Sequence, residues 1–226
     1  MSNSALASGP VGWFGKLPAL GDFVQRNLPD HFVPAWDTWL QAGMAAASRQ
    51  QGEEWKDAFL CFPVWYFLRR VPGDASPESA SSVWTGMFLP SADRVGRLYP
   101  LTVAFPVPAD MFLQLDFVLL EARLEEIETL VLNVLASDDL AGFERALAAL
   151  APMHVDPAVK ALHTVAPAAL MKRLGAQALL DELHGSTLFW APDAGPLEPL
   201  LLAAEPLQAD TFCKLVTPLT TSLLAH

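Results

Sequence analysis

Basic residues are scarce in this chain: 14 Lys and Arg stand against 25 Asp and Glu, giving a formal net charge of -11 and a pI near 4.7. No basic stripe is left to follow a phosphate backbone, and an acidic surface repels nucleic acid and anionic lipid alike, so neither is expected as a partner. Cysteine is scarcer still. Cys61 and Cys213 lie too far apart in sequence for a C-x-x-C redox or zinc pair, and both are expected to be reduced, buried apolar residues. Long hydrophobic runs are missing too. A membrane span needs about 20 consecutive apolar residues. The most apolar stretch, residues 111–135, is interrupted by Gln114, Asp116, Glu121, Arg123, Glu125, Glu126 and Glu128. The start, MSNSALASGP, has neither the positive segment nor the apolar core of a secretory signal. The chain is therefore expected in the cytoplasm, without direct membrane insertion.

Catalytic signatures are also lacking. There is no G-x-S-x-G elbow, and His31, His154, His163, His184 and His226 have no H-E-x-x-H spacing. GWFGK invites a phosphate-loop reading, but Pro10 stands where the first Gly is needed and Leu17 where Ser or Thr is needed. Gly12, Gly15 and Gly21 are then read as tight backbone turns where side chains would clash. No catalytic residue, metal ligand or cofactor is expected, and the chain reads as a binding protein rather than an enzyme.

What is present is apolar material for a large core: 226 residues, 52% hydrophobic and 17% charged, a length suited to one domain. Residues 1–10 have almost nothing to bury and are expected to be a disordered tail, followed by a single domain over residues 11–226. Trp13 and Phe14 predict a short strand ended by Pro18, with Gly21 and Asp22 turning the chain before Phe23 and Val24. From about Pro34, Phe32, Trp36, Trp39, Leu40 and Gly43 recur at helical spacing. Aromatic and β-branched segments at 64–71, 82–89 and 98–107 predict strands, the first two joined by the breaker-rich loop VPGDASPESAS.

Asp110 is placed to cap a helix reaching Leu135, because Leu113, Phe117, Leu120, Leu124, Ile127, Val131 and Val134 repeat in steps of four and three. Additional leucines widen this stripe beyond a coiled-coil seam, so a buried helix is expected, with Glu121, Glu125 and Glu128 on a solvated face. Further helices are predicted at 137–150, capped by Ser137 or Asp138, and at 168–183. Residues 187–190 return to the sheet, followed by a Pro-rich turn and apolar segments at 200–203 and 212–215. Strands, then helices, then strands give an α/β class with a sheet flanked by helices, not a repeat of βαβ units.

Two tracts stand out: GWFGKLPALGDFVQRNLPDHFVPAWDTWL at 12–40 and LPSADRVGRLYPL at 89–101. Both are too rich in Gly, Pro, aromatic and charged residues for ordinary helix or strand. Lys16 and Asp22 lie within aromatic surroundings and must be exposed or paired; a salt bridge with each other or with Asp37, and a partner-contact surface, are both open. Ser91 and Asp93 are turn formers, and Gly96 suits a positive φ. Arg94 and Arg97 could offer two guanidinium forks to one carboxylate or phosphate, or pair internally with Asp22, Asp37 or Asp93. Lys16, Asp22, Asp37, Ser91, Asp93, Arg94 and Arg97 are the candidate contact residues. Most of the seven Trp are expected in the core, with a cavity lining or interface anchors as the alternative.

These tracts follow a known pattern. Gly12, Phe14, Gly15, Lys16, Leu17, Pro18, Gly21, Asp22, Phe23 and Val24 fit G-x-F-G-K-L-P-x-x-G-D-F-V. Trp36, Asp37, Trp39 and Leu40 fit W-D-x-W-L, and Pro90, Ser91, Asp93, Val95, Gly96, Arg97, Pro100 and Leu101 fit P-S-x-D-x-V-G-R-x-x-P-L. In this the chain resembles the TagF (ImpM) accessory proteins of bacterial type VI secretion. The likeness continues at Leu188, Phe189 and Trp190, where Phe189 replaces the first of two tryptophans. It implies a three-layer α/β/α sandwich with a mixed, largely antiparallel central sheet. It also implies a cytoplasmic post-translational regulator, typically a repressor, whose partner is the forkhead-associated protein of the same secretion system. Some relatives carry a fused protein phosphatase domain, and none is expected in these 226 residues. The resemblance supplies no active-site residues, so the seven candidates rest on their own chemistry.

Two readings stand beside the protein-binding repressor. A small-anion sensor would enclose a concave pocket around the arginines, and a cryptic hydrolase would place a nucleophile within reach of a histidine. An exposed face shared by both tracts favours the repressor. The oligomeric state is left open.

Overall fold

Burial on both faces, rather than strict alternation, shapes the central strands. All five residues of Trp65–Arg69 and seven of the eight in Ser82–Leu89 are buried, as suits strands covered by helices on both sides. The structure, a computed structural model, describes residues 6–70, 82–155, 167–192 and 200–217. In chain order its strands are β1 (Leu6–Ala7), β2 (Gly12–Gly15), β3 (Val24–Arg26), β4 (Trp65–Arg69), β5 (Ser82–Leu89), β6 (Leu101–Pro108), β7 (His154–Val155), β8 (Ser186–Trp190) and β9 (Leu200–Ala204). The helices are α1 (Val33–Gln51), α2 (Trp55–Cys61), α3 (Ala109–Phe112), α4 (Phe117–Ser137), α5 (Leu140–Ala149), α6 (Pro167–Glu182) and α7 (Ala209–Val216). Seven strands form one sheet in the order β3-β2-β6-β5-β4-β8-β9, and β1 pairs separately with β7. The fold is α/β, and each described pairing within the sheet is antiparallel.

Alternation along the strands divides the core in two. Tyr66 and Leu68 of β4 join Val83, Met87, Val103, Phe105 and Trp190 against Leu120, Leu124, Ile127 and Val131 of α4, Phe143 of α5 and Leu180 of α6. Trp65 and Phe67 face the other way, with Trp84, Phe88 and Phe189 against Trp36, Trp39 and Leu40 of α1, Phe59 of α2 and Phe212 of α7. Each buried Leu or Phe contributes about 1.5–3 kcal/mol. Three indoles of this second core also satisfy their polar ends: Trp36 donates to Thr102 Oγ1 (2.9 Å), Trp39 to the Gln208 carbonyl (3.0 Å) and Trp65 to the Leu215 carbonyl (2.9 Å). All seven Trp are buried.

One buried ion pair links the sheet to the chain beyond β9. Arg69 Nη2 lies 3.2 Å from Glu205 Oε1, and the Arg69 guanidinium sits over Trp36 and Phe32 at 5.2 and 5.7 Å from the ring centroids. Burial pulls the Arg69 pKa below its ordinary value, with Glu205 opposing the shift. Glu205 Oε1 also accepts from the Thr187 hydroxyl and Oε2 from the Leu207 N–H.

Several boundaries differ from expectation. Order begins before Val11, because β1 pairs with β7, Ser8 N–H donates to the Met153 carbonyl and Gly9 N–H to the Pro106 carbonyl. This pairing is made by backbone, so side-chain composition does not announce it. The helix expected from Asp110 is broken into α3 and α4. Extended Asp116 (φ -81°, ψ 126°) ends the first register and caps the second, its carboxylate accepting from Val118 N–H. The α5 cap is Asp139, which accepts from Gly142 N–H, while Asp138 turns left-handed at φ 56°. Glu128 is half-buried and accepts from the Tyr66 hydroxyl instead of facing solvent. The strand expected at 98–107 starts at Leu101, and 212–215 lies in helix α7. Cys61 is exposed, whereas Cys213 is buried; both are free thiols. Residues 1–5, the loop at 71–81, the Pro-rich turn at 193–199, His163 and His226 lie outside the described residues.

Where α1 crosses α7, a Cβ on Gly43 would lie 2.3 Å from Phe212 Cβ. Gly43→Val is expected to lower the unfolding free energy by about 1–3 kcal/mol, the usual cost of overpacking. Gly175→Ala in α6, where an added Cβ meets nothing within 4 Å, is expected to raise it by about 0.4–1 kcal/mol. Urea denaturation of the two variants measures both effects.

Candidate functional site

Strand order brings the two tracts together. β2 pairs with β6 from Gly12↔Ala104 to Phe14↔Thr102, so the loop leaving β2 emerges beside the loop entering β6. Contact there is backbone to backbone: Gly15, at φ 136°, comes so near Pro100 that a Cβ would lie 2.3 Å from its carbonyl oxygen.

Asp93 closes the second loop on itself. Its Oδ1 accepts from the N–H groups of Val95 (3.1 Å) and Arg97 (2.9 Å), and Gly96, at φ 80°, donates its N–H to the Asp93 carbonyl. Such side-chain bonding to following backbone is what suits Asp to turns. Asp93 Oδ2 takes Arg97 Nε at 2.6 Å and Lys16 Nζ at 3.1 Å. The Lys16 and Asp93 side chains are 8% and 0% exposed, so this pair is sealed from solvent. Burial alone would push the Asp93 carboxyl up. Hydrogen bonds from the Arg97 backbone and side chain, Lys16 and the Val95 N–H outweigh it and hold the group well below the usual carboxylate range.

Further bonds stitch the tracts along their length. Ser91 Oγ donates to the Lys16 carbonyl (2.7 Å), Arg97 Nη2 to the Gly21 carbonyl (2.7 Å) and Arg94 N–H to the Leu20 carbonyl (2.8 Å). Tyr99 donates its hydroxyl to Asp37 Oδ1 at 2.5 Å, and Gln41 donates to Asp37 Oδ2 at 2.8 Å. Burial first, then the hydrogen bond to Asp37 and its charge, push the Tyr99 hydroxyl far above its ordinary pKa, so it stays a donor. Phe23 packs edge-on against Tyr99 at 4.6 Å and beneath Lys16 Nζ at 4.8 Å, yet remains 43% exposed.

The seven candidates therefore divide. Lys16, Ser91 and Asp93 are buried and hold the loops, and Asp37 is half-buried and anchors Tyr99. Asp22, Arg94 and Arg97 face outward. Lys16 pairs with Asp93 rather than with Asp22 or Asp37; exposed Asp22 accepts from the Phe23 N–H of its own turn. Of the two arginines, Arg97 makes the internal pairing, committing Nε to Asp93 and Nη2 to the Gly21 carbonyl. Tyr99, Phe23 and Val95 were absent from the candidate set; the first two sit in the motifs GDFV and RLYPL, and Val95 is 70% exposed at the loop tip.

The cavities beside Trp84, between Phe117 and Leu179, along Leu147 and Pro152, and beside Asn133 are lined by other residues. Among the described residues no three His, Cys, Asp or Glu side chains are grouped to hold a metal ion.

Residues 12–151 match the family model of the TagF N-terminal domain, type VI secretion system-associated. The whole fold is similar to the crystal structure of PA0076 from Pseudomonas aeruginosa PAO1, with 32% sequence identity and a TM-score of 0.68 over 92% of this chain and 94% of that one. A search of curated proteins finds no match.

The Asp93 pKa is depressed on folding. Its stabilisation is therefore present above the unfolded carboxyl value of about 3.9 and is lost as pH falls toward the folded value. Asp93→Asn is expected to be less stable than wild type at neutral pH, with the gap between their denaturation midpoints narrowing below about pH 4. A gap that stays constant on acidification would show that the charge of Asp93 does not hold the loops.

Proposed function

The chain belongs to the TagF family of type VI secretion system-associated proteins, and from that membership we propose a cytoplasmic post-translational repressor of type VI secretion. It acts by binding a protein, the forkhead-associated component of the same system. The observation that carries binding is the division of labour in the paired tracts. Buried Lys16, Ser91 and Asp93 fix the loops, while Asp22, Phe23, Arg94, Val95 and the outer part of Arg97 face solvent. A surface held in place beforehand loses little conformational freedom on association. Exposed apolar groups set among charges suit the centre and rim of a protein interface. A small anion would call for two free, convergent guanidinium groups, and Arg97 is already engaged. Among the described residues no helix is long and apolar enough to cross a membrane.

Charge reversal at Arg97 would break the internal bond to Asp93, so the informative change lies beside it. The double variant Arg94→Glu, Val95→Asp alters two exposed side chains and is expected to stay within about 1 kcal/mol of wild-type stability. Co-purification with the forkhead-associated component should be retained by wild type and lost by this folded variant. Binding retained by the variant would move the partner to another face. No binding by wild type would remove the proposed partner.

A further inference from the structure

Among the described residues the large sheet ends at β9, a strand with neither a charged residue nor a proline. Edge strands of soluble proteins are commonly blunted by charge, proline, a bulge or a covering element. β9 reads Leu-Leu-Leu-Ala-Ala, and among the described residues no strand lies beyond it. The opposite edge, β3, is three residues long and carries Arg26, which is bonded to Glu144.

Register identifies the outward backbone groups of β9. Glu205 N–H donates to the Gly185 carbonyl, and pairing runs from Ser186↔Ala204 to Trp190↔Leu200. Ladder bonds alternate in an antiparallel pair. Leu201 and Ala203 therefore bond toward β8, and the N–H and C=O groups of Leu200, Leu202 and Ala204 point away from the sheet. Leu200 and Leu202 also share one face and are 67% and 43% exposed. Trp190, opposite Leu200, touches Phe117 at 5.6 Å, and Phe117 is itself 40% exposed, so the apolar edge continues onto the start of α4.

We propose that β9 is a self-association edge, to which a second copy of this chain adds its own β9 in antiparallel register centred on Leu202. The outward groups are self-complementary about that residue: Leu202 opposes the partner's Leu202, and Leu200 opposes the partner's Ala204, as a two-fold axis requires. The added strand continues the antiparallel pattern of the sheet. Charge favours this seam over other faces, because two copies of net charge -11 repel while β9 has no charged side chain. The adjoining carboxylate, Glu205, is turned inward onto Arg69. This edge is separate from the loop face assigned to the secretion-system partner and does not rest on that assignment.

Light scattering on a sizing column across a dilution series, together with amide hydrogen exchange, tests the edge. Wild type is expected to approach twice the 24.5 kDa of one chain at high concentration. Exchange at the amides of Leu200, Leu202 and Ala204 should be slowed there and should quicken on dilution. Leu202→Lys sets like charges opposite each other across the axis, and Leu202→Pro removes the outward N–H that the second strand would accept from; both should be monomers. Circular dichroism checks that the lysine variant is folded. A wild type that is monomeric throughout overturns the proposal, even if β9 captures a strand from another protein, and so does a folded Leu202→Lys variant that remains dimeric.

Discussion

The ionised carboxylate of Asp93 is the constraint on which the arrangement of both tracts depends. A carboxylate sealed from water is costly unless its lone pairs are filled and its charge is balanced. Here the donors come from both tracts: Lys16 from the first, and Arg97 with two backbone N–H groups from the second. Neither loop can leave without exposing the other to an uncompensated charge. Arg97 extends the same logic outward, binding Asp93 through Nε and the Gly21 carbonyl through Nη2.

That constraint operates because the sheet has already placed the loops side by side. The order β3-β2-β6 sets the end of β2 against the start of β6, and the close approach of Gly15 to Pro100 leaves no space for a side chain between them. Below the loops, Trp36 bonds Thr102 of β6 and packs at a tilt against Phe67 with ring centroids 4.7 Å apart, while Tyr99 reaches Asp37 on the same helix. Helix α1 thus connects the second core to both the sheet and the loop site. Two independent packings support one surface.

How much of this could be read from the sequence depends on the range of the interaction. Helix α1 was legible because Trp36, Trp39, Leu40 and Gly43 repeat on one face, and their burial follows from that spacing. β4 and β5 were legible as dense aromatic and β-branched runs. The α3–α4 break was not, because Leu113 and Phe117 preserve helical spacing across it; only the extended backbone of Asp116 exposes the interruption. The β1–β7 pair has no side-chain signature at all. At the site, the sequence showed that Lys16 had to be exposed or paired and offered Asp22 or Asp37, whereas strand order supplies Asp93. Local spacing cannot reveal that, and the nearest carboxylate in sequence was the wrong one.

The motif positions themselves separate support from contact. In P-S-x-D-x-V-G-R, the named Ser91, Asp93, Gly96 and Arg97 build the turn and hold it to Lys16 and Gly21, whereas Arg94 stands at an unspecified position and is exposed. The pattern therefore describes a scaffold, and the residue identities most needed for specificity fall in its gaps. Phe23 and Val95 depart from that rule: both are motif positions, yet they expose 43% and 70% of their surface. Phe23 still packs against Tyr99 and Lys16, which gives it a structural reason to be there. Val95 is different. Its N–H serves the Asp93 turn, but any residue other than proline supplies an N–H, so the turn does not account for an apolar side chain at the tip. Under the proposed binding role, that exposed side chain is available for contact at the tip of the loop that Asp93 closes.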